Sequence, residues 1–128
     1  MANYTYLTGK TPLPQKWTLG YQQSRWGYST GAKRVEDIAK KFDDLKLPLD
    51  VIHLDIDYMR GYRDFTWDQD KYPDLSGFLS RMQKRQIRLM PIIDAGVKQD
   101  PDYDLYQVGK AKHYFVTNRH GETYVNRV

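Results

Sequence analysis

The stretch Val51-Ile52-His53-Leu54-Asp55-Ile56 decides the fold class of this chain. It is short and mostly apolar, the pattern of a strand buried on both faces of a parallel sheet. Upstream, Val35, Ile38, Ala39, Phe42 and Leu45 recur at helical spacing, with Lys, Glu and Asp on the other face. Ser29 or Thr30 is the expected N-cap of that helix and Leu47-Pro48 its end. Lys16 to Ser24 alternates loosely and reads as a first strand. Downstream comes a long polar and aromatic loop from Tyr58 to Pro73. Asp74 then caps a second helix striped by Leu75, Phe78, Leu79 and Met82, and Leu89-Met90-Pro91-Ile92-Ile93 forms a third strand. Pro91 has no N–H to give a sheet, so it requires an edge, a bulge or the unpaired side of its strand.

Strand, helix, strand, helix, strand is the repeat of a parallel α/β protein with right-handed crossovers. Two layouts satisfy it: a doubly wound open sheet, or the first three βα units of a (β/α)8 TIM barrel. The 128 residues suffice for one domain and fall short of the roughly 250 of a whole barrel, so the barrel layout is necessarily partial. A dinucleotide-binding sheet carries a Gly-rich turn after a strand. The turns here read Arg25-Trp26-Gly27-Tyr28, Asp55-Ile56-Asp57-Tyr58 and Asp94-Ala95-Gly96, which counts against it. Residues 1–15, punctuated by Pro12 and Pro14, are expected to be an extended incoming segment, and 16–128 the barrel fragment. At the other end a short helix from Asp104 to Lys110 is expected. A small hairpin of His113 to Val116 with Thr123 to Val128 should follow, turning at Asn118-Arg119-His120-Gly121.

Composition narrows the function classes. The net charge of +4 invites a nucleic-acid reading, but the basic residues do not gather on one stripe, so no nucleic-acid partner is expected. The sequence shows no apolar run of about 18 residues and no charged-then-apolar leader, so no membrane partner is expected. With no Cys there is no disulfide or thiolate metal site, which suits a reducing compartment, and a cytoplasmic location is the expectation. The 11 Tyr and 3 Trp are unusual; rings with a polar tip suit sugar clefts and interfaces.

In either parallel layout ligands bind at the C-terminal ends of the strands. Those ends carry Arg25 and Trp26, then Asp55 and Asp57, then Asp94. Carboxylates at two neighbouring ends with a Trp on the third suit a sugar subsite, in which acids accept hydroxyl hydrogens and an aromatic plane meets the ring face. The alternative is that Asp55 and Asp94 only cap the turns that follow them. His53, on an apolar strand, reads as a hydrogen-bonded core histidine. Tyr58, Tyr62, Phe65 and Trp67 are either a substrate wall or the loop packing on itself.

Leu13-Pro14-x-x-Trp17-x-Leu19-Gly20-Tyr21-x-x-Ser24-Arg25-Trp26-Gly27-Tyr28, the run Leu47 to Met59, Asp64-Phe65-Thr66-Trp67 and Ile92-Ile93-Asp94 occur in that order. Together they resemble the start of the catalytic barrel of glycoside hydrolase family 31, the α-glucosidase and α-xylosidase family. The resemblance runs from about residue 6 to 128. It implies a retaining hydrolase of α-linked glucose at non-reducing ends, needing no metal or organic cofactor, whose partner is an α-glucoside or oligosaccharide. In such enzymes one carboxylate attacks the anomeric carbon and a second, about 5–5.5 Å away, protonates the leaving oxygen. The family's Trp-x-Asp-Met-Asn nucleophile motif does not occur here, so no catalytic residue is assigned and the chain alone is expected to be inactive. The resemblance makes Asp55 an acceptor of outer sugar hydroxyls, Ile56 and Ile92 apolar walls, and Asp94 an acid under the same sugar. Trp26 stands where many relatives have Tyr, which keeps the aromatic plane and loses the hydroxyl. Arg25 and Asp57 are expected to support the subsite from behind, paired with later strands. A partial barrel leaves strand edges open, so a homo-oligomer or swapped dimer is expected.

Overall fold

A computed structural model of the chain describes residues 2–126. Three strands, β1 (Gln22–Ser24), β2 (Val51–Leu54) and β3 (Arg88–Pro91), form one sheet in the order β1-β2-β3, with both pairings parallel. Four helices accompany them: α1 (Ala2–Thr8), α2 (Ala32–Asp44), α3 (Leu75–Lys84) and α4 (Asp104–Ala111). Short 3-10 turns occupy Lys16–Leu19 and Ile56–Tyr58.

Sequential strand order separates the two layouts. A doubly wound sheet reverses its order so that helices cover both faces, whereas a sheet that always adds its next strand on the same side puts every crossover helix on one face. The core obeys the second rule: Val35 and Ala39 of α2 and Phe78 and Met82 of α3 pack with Ile52 and Leu54 of β2 in one cluster. The three βα units are therefore a partial TIM barrel. The register Ser24↔His53↔Met90 puts the opposite side chains on the face that a closed barrel turns inward. Val51 on the same face is buried where the 3-10 turn of Lys16–Leu19 brings Trp17 over Arg88, while toward the other end Met90 is 40% exposed. No helix among the described residues is long and apolar enough to cross a membrane.

The helices end alike. After α2, Lys46 takes a left-handed φ of 54° while the Leu47 N–H reaches back to the Phe42 carbonyl (2.9 Å). After α3, Gln86 does so at 61° and Ile87 reaches Met82 (3.0 Å). After α4, His113 does so at 56° and Tyr114 reaches Gly109 (2.9 Å). Each is the motif that satisfies terminal carbonyls through one left-handed residue, ordinarily glycine. The expected stop at Leu47-Pro48 is thus corrected: α2 ends at Asp44 because its last carbonyls are satisfied before Pro48 can intervene.

The expected cap at Ser29 or Thr30 is corrected too. Gly31 is the N-cap of α2, at φ 80°, and a Cβ there would collide with the Lys71 carbonyl. That carbonyl accepts the Ala32 N–H (3.1 Å), while the Ser29 hydroxyl is drawn away to Asp57. Asp74 caps α3 as expected, accepting from the Gly77 N–H at 3.0 Å.

The strands are shorter than the apolar runs. Of Lys16 to Ser24 only the second part pairs, because the Gln15 carbonyl draws the Thr18 N–H (3.0 Å) and hydroxyl (2.7 Å) into a local turn. In β3 the Arg88 and Ile92 N–H groups bond to Asp50 and Leu54, so by alternation the Pro91 nitrogen faces the open edge, the unpaired side that proline requires.

At the N-terminus the extended reading fails. Residues from Ala2 to Thr8 are helical, ended by Gly9 at φ 83°, and the prolines lie beyond that point. At the other end α4 forms as expected, but the hairpin shrinks to a bridge between Thr117 and Thr123, whose turn is held by Asn118 N–H to the Glu122 carbonyl (2.8 Å). Residues 127 and 128 of that expected hairpin lie outside the described ones.

Candidate functional site

Trp26 stands two residues past the end of β1, and Asp55 and Ile92 directly follow β2 and β3, so all three lie at one end of the sheet. It is the C-terminal end of the strands, where parallel α/β folds bind their ligands. Asp94 follows two residues after Ile92. Trp26 is 68% exposed, and Ile92 is exposed as well. Asp55, Asp57 and Asp94 are half-buried, and Arg25 is exposed.

Each acid has one oxygen committed to the backbone. Asp55 Oδ1 accepts the Ile56 N–H (2.7 Å), and Asp94 Oδ1 accepts the Ala95 N–H (3.2 Å). The turn-capping role is thus real, and it leaves each acid a second oxygen without a partner among the described residues. A carboxylate accepts at both oxygens, so the two roles coexist in one side chain. Ile56 is turned partly toward the core and packs against it.

Asp57 is bonded within the chain. Its Oδ2 accepts the Ser29 hydroxyl at 2.7 Å, and its carbonyl accepts Lys71 Nζ at 2.9 Å. Its carboxylate thereby ties the turn before α2 to the end of β2. His53 is hydrogen-bonded as expected but lies half-buried on the inward face and outside the core, its Nε2 2.8 Å from Gln22 Oε1. The four loop aromatics divide. Tyr58 and Trp67 stack into a chain with Tyr72 and Phe78, at centroid distances of 4.9, 5.0 and 5.4 Å, and so are packing. Tyr62 and Phe65 stay exposed, both at left-handed φ near 60°.

Sequence reasoning passed over the residue that organises this end of the sheet. Asp64, only 3% exposed, accepts the Asp94 N–H through Oδ1 at 2.8 Å. Its carbonyl accepts the Tyr103 hydroxyl at 2.7 Å, and the Tyr58 hydroxyl donates to the Ile92 carbonyl at 2.7 Å. Burial and then the Asp64 charge push both phenols above their ordinary range. Asp64 opens the Asp64-Phe65-Thr66-Trp67 run that carries part of the family resemblance, but nothing in a polar loop sequence marks it as buried.

A hollow of about 1070 Å3 opens at the opposite end, where Gly20, Asp50 and Arg88 lead into the strands and Trp17 stacks on the Arg88 guanidinium at 4.7 Å. It lies at the N-terminal ends of the strands, which in barrels serve stability. The strand ends bearing Asp55 and Asp94 are the candidate site.

The TIM-barrel domain of glycosyl hydrolases family 31 matches residues 11–128. The chain belongs to that family. Alpha-glucosidase 2 of Bacillus thermoamyloliquefaciens is 46% identical over 128 residues, all of this chain and 16% of that protein. Neutral alpha-glucosidase AB of Homo sapiens is 38% identical over 121 residues, 94% of this chain and 13% of that protein. The crystal structure of the glucosidase II alpha subunit with alpha3-Glc2 bound superposes with a TM-score of 0.90 at 34% identity, covering 96% of this chain and 13% of that one. The family 31 dextranase of Flavobacterium johnsoniae complexed with glucose gives 0.84 at 30% identity, over 95% of this chain and 15% of that one. The chain thus spans about a seventh of the family 31 proteins it matches, and its three βα units are the part of the family barrel they share.

Proposed function

We propose that this chain is part of a retaining α-glucosidase and contributes one side of the pocket that holds the glucose to be cleaved. The observation that carries the reading is that Trp26, Asp55 and Ile92 follow the C-terminal ends of the three strands of a family 31 sheet, with Asp94 just beyond. Asp55 and Asp94 each have a free carboxylate oxygen to accept a sugar hydroxyl. Trp26 supplies an exposed ring face, and Ile92 and Ile56 supply apolar wall. The attacking carboxylate and the proton donor of the retaining mechanism come from elsewhere in the enzyme, and the 128 residues by themselves do no chemistry.

In the whole enzyme, Asp55→Asn is expected to lower kcat/KM on an aryl α-glucoside at least about tenfold, since a charged acceptor bonds a hydroxyl more strongly than an amide does. An unchanged constant refutes the subsite. The purified chain is expected to give no hydrolysis; turnover that co-purifies with it and disappears in Asp55→Asn refutes that part.

The exposed part of the inward face favours a second reading, for the chain by itself. Parallel sheets are covered on both faces, and here Gln22, Ser24 and Met90 lie open between two strand edges. The isolated chain is expected to self-associate through this face. A monomer by light scattering at high concentration counts against it.

A further inference from the structure

Asp94 stands three residues past the end of β3, beyond the last bond of the ladder, Ile92 N–H to the Leu54 carbonyl at 2.8 Å. The sheet therefore does not fix it. What does is the loop between β2 and α3. Tyr58 holds the Ile92 carbonyl at 2.7 Å and Asp64 holds the Asp94 N–H at 2.8 Å, so the segment from Ile92 to Asp94 is gripped at both ends by one loop. Both gripping side chains are buried, at 4% and 3% exposure. The loop is itself held from the far side, through the Tyr103 hydroxyl on the Asp64 carbonyl (2.7 Å) and the Arg63–Asp100 ion pair (2.6 Å).

We infer that Asp64 is a positioning residue for the sugar subsite: its buried carboxylate, with Tyr58 as second anchor, sets where Asp94 and Ile92 meet the substrate. This rests on the subsite reading above. Asp64 touches no sugar and moves no proton; it acts through the backbone of Asp94. What the turn requires is an acceptor oxygen at this reach, which Asp64 supplies to the Asp94 N–H at 2.8 Å. The requirement is strict, because displacing a binding group by about 1 Å can cost on the order of a hundredfold in rate. Asp94 has one oxygen tied to the Ala95 N–H, so any rotation of its backbone redirects the other.

The test is a double-mutant cycle on kcat/KM for an aryl α-glucoside, in the whole enzyme. Asp64→Ala is expected to cost about tenfold in the parent and less than about twofold in an Asp94→Ala background, since its effect is routed through that acid. Asp64→Asn, which keeps an oxygen acceptor of the same reach, should recover most of the loss. Tyr58→Phe carries the same cycle should Asp64→Ala fail to fold. Equal losses in both backgrounds, or no rescue by Asn, overturn the positioning role and leave the subsite standing. If Asp94→Ala alone changes nothing, the subsite role of Asp94 falls, and the positioning role with it.

Discussion

Arg63 and Asp100, 37 residues apart in sequence, meet at 2.6 Å with both side chains mostly shielded from water. The pair joins the loop after β2 to the loop after β3. Lys98 reinforces it, standing 3.7 Å from the same Asp100 oxygen and donating to the Gly61 carbonyl at 2.9 Å. The two loops that carry the candidate site are thus bonded to each other as well as to their strands.

Acid should loosen this arrangement. The Asp102 N–H, then Arg63 and Lys98, hold the Asp100 carboxyl below its usual range; a hydrogen bond from Arg81 and the Gly77 N–H do the same for Asp74. A carboxyl whose folded pKa is depressed adds stability above its unfolded value, about 4, and that stability is lost as pH falls through the folded value. The thermal midpoint is expected to hold from pH 7 to about 5 and to drop below about 4. Asp74→Asn with Asp100→Asn should start lower and fall less steeply; a slope equal to the parent's contradicts the assignment.

Alkali acts through a phenol. Burial first, then the Asp57 and Asp68 charges, push Tyr72 up to about 12. The unfolded chain releases this proton near 10 while the folded one keeps it, so the stability it adds is present below about pH 10 and lost as pH rises to about 12. Absorbance of tyrosinate should show a late-titrating component that Tyr72→Phe removes. If the late component survives that substitution, the assignment is wrong.

Gly31→Ala should destabilise by about 2–4 kcal/mol in denaturant titration, because a left-handed φ and a collision with the Lys71 carbonyl act together. A cost under about 0.5 kcal/mol, the level of an ordinary surface change, contradicts it.

Lys46→Gly and Gln86→Gly should have the opposite sign. Both exposed residues hold left-handed φ at a helix end, where glycine avoids about 1 kcal/mol of strain. Each is expected to raise stability by roughly 0.5–1 kcal/mol, with the two gains additive. Destabilisation by either refutes the reading.

Core and site separate at Phe78 and Trp26. Phe78→Ala, at a fully buried position, should cost about 3–5 kcal/mol. Trp26→Ala, largely exposed, should cost under about 0.5 kcal/mol, yet lower kcat/KM in the whole enzyme. A Trp26→Ala variant as unstable as Phe78→Ala makes Trp26 a packing residue instead.

The sequence by itself determined the alternation of strand and helix, the cap at Asp74, the constraint on pairing at Pro91 and the acids at the strand ends. These follow from local rules: periodicity, a missing N–H, a side chain that bonds the turn beside it. Only the tertiary structure decided that both crossover helices share one face, that Gly31 and not Ser29 caps α2, and that the first residues coil into a helix. It also turned Asp64 inward. A buried carboxylate in a polar loop has no signature in composition or spacing, because its role is set by a backbone 30 residues away that only folding brings within hydrogen-bond reach.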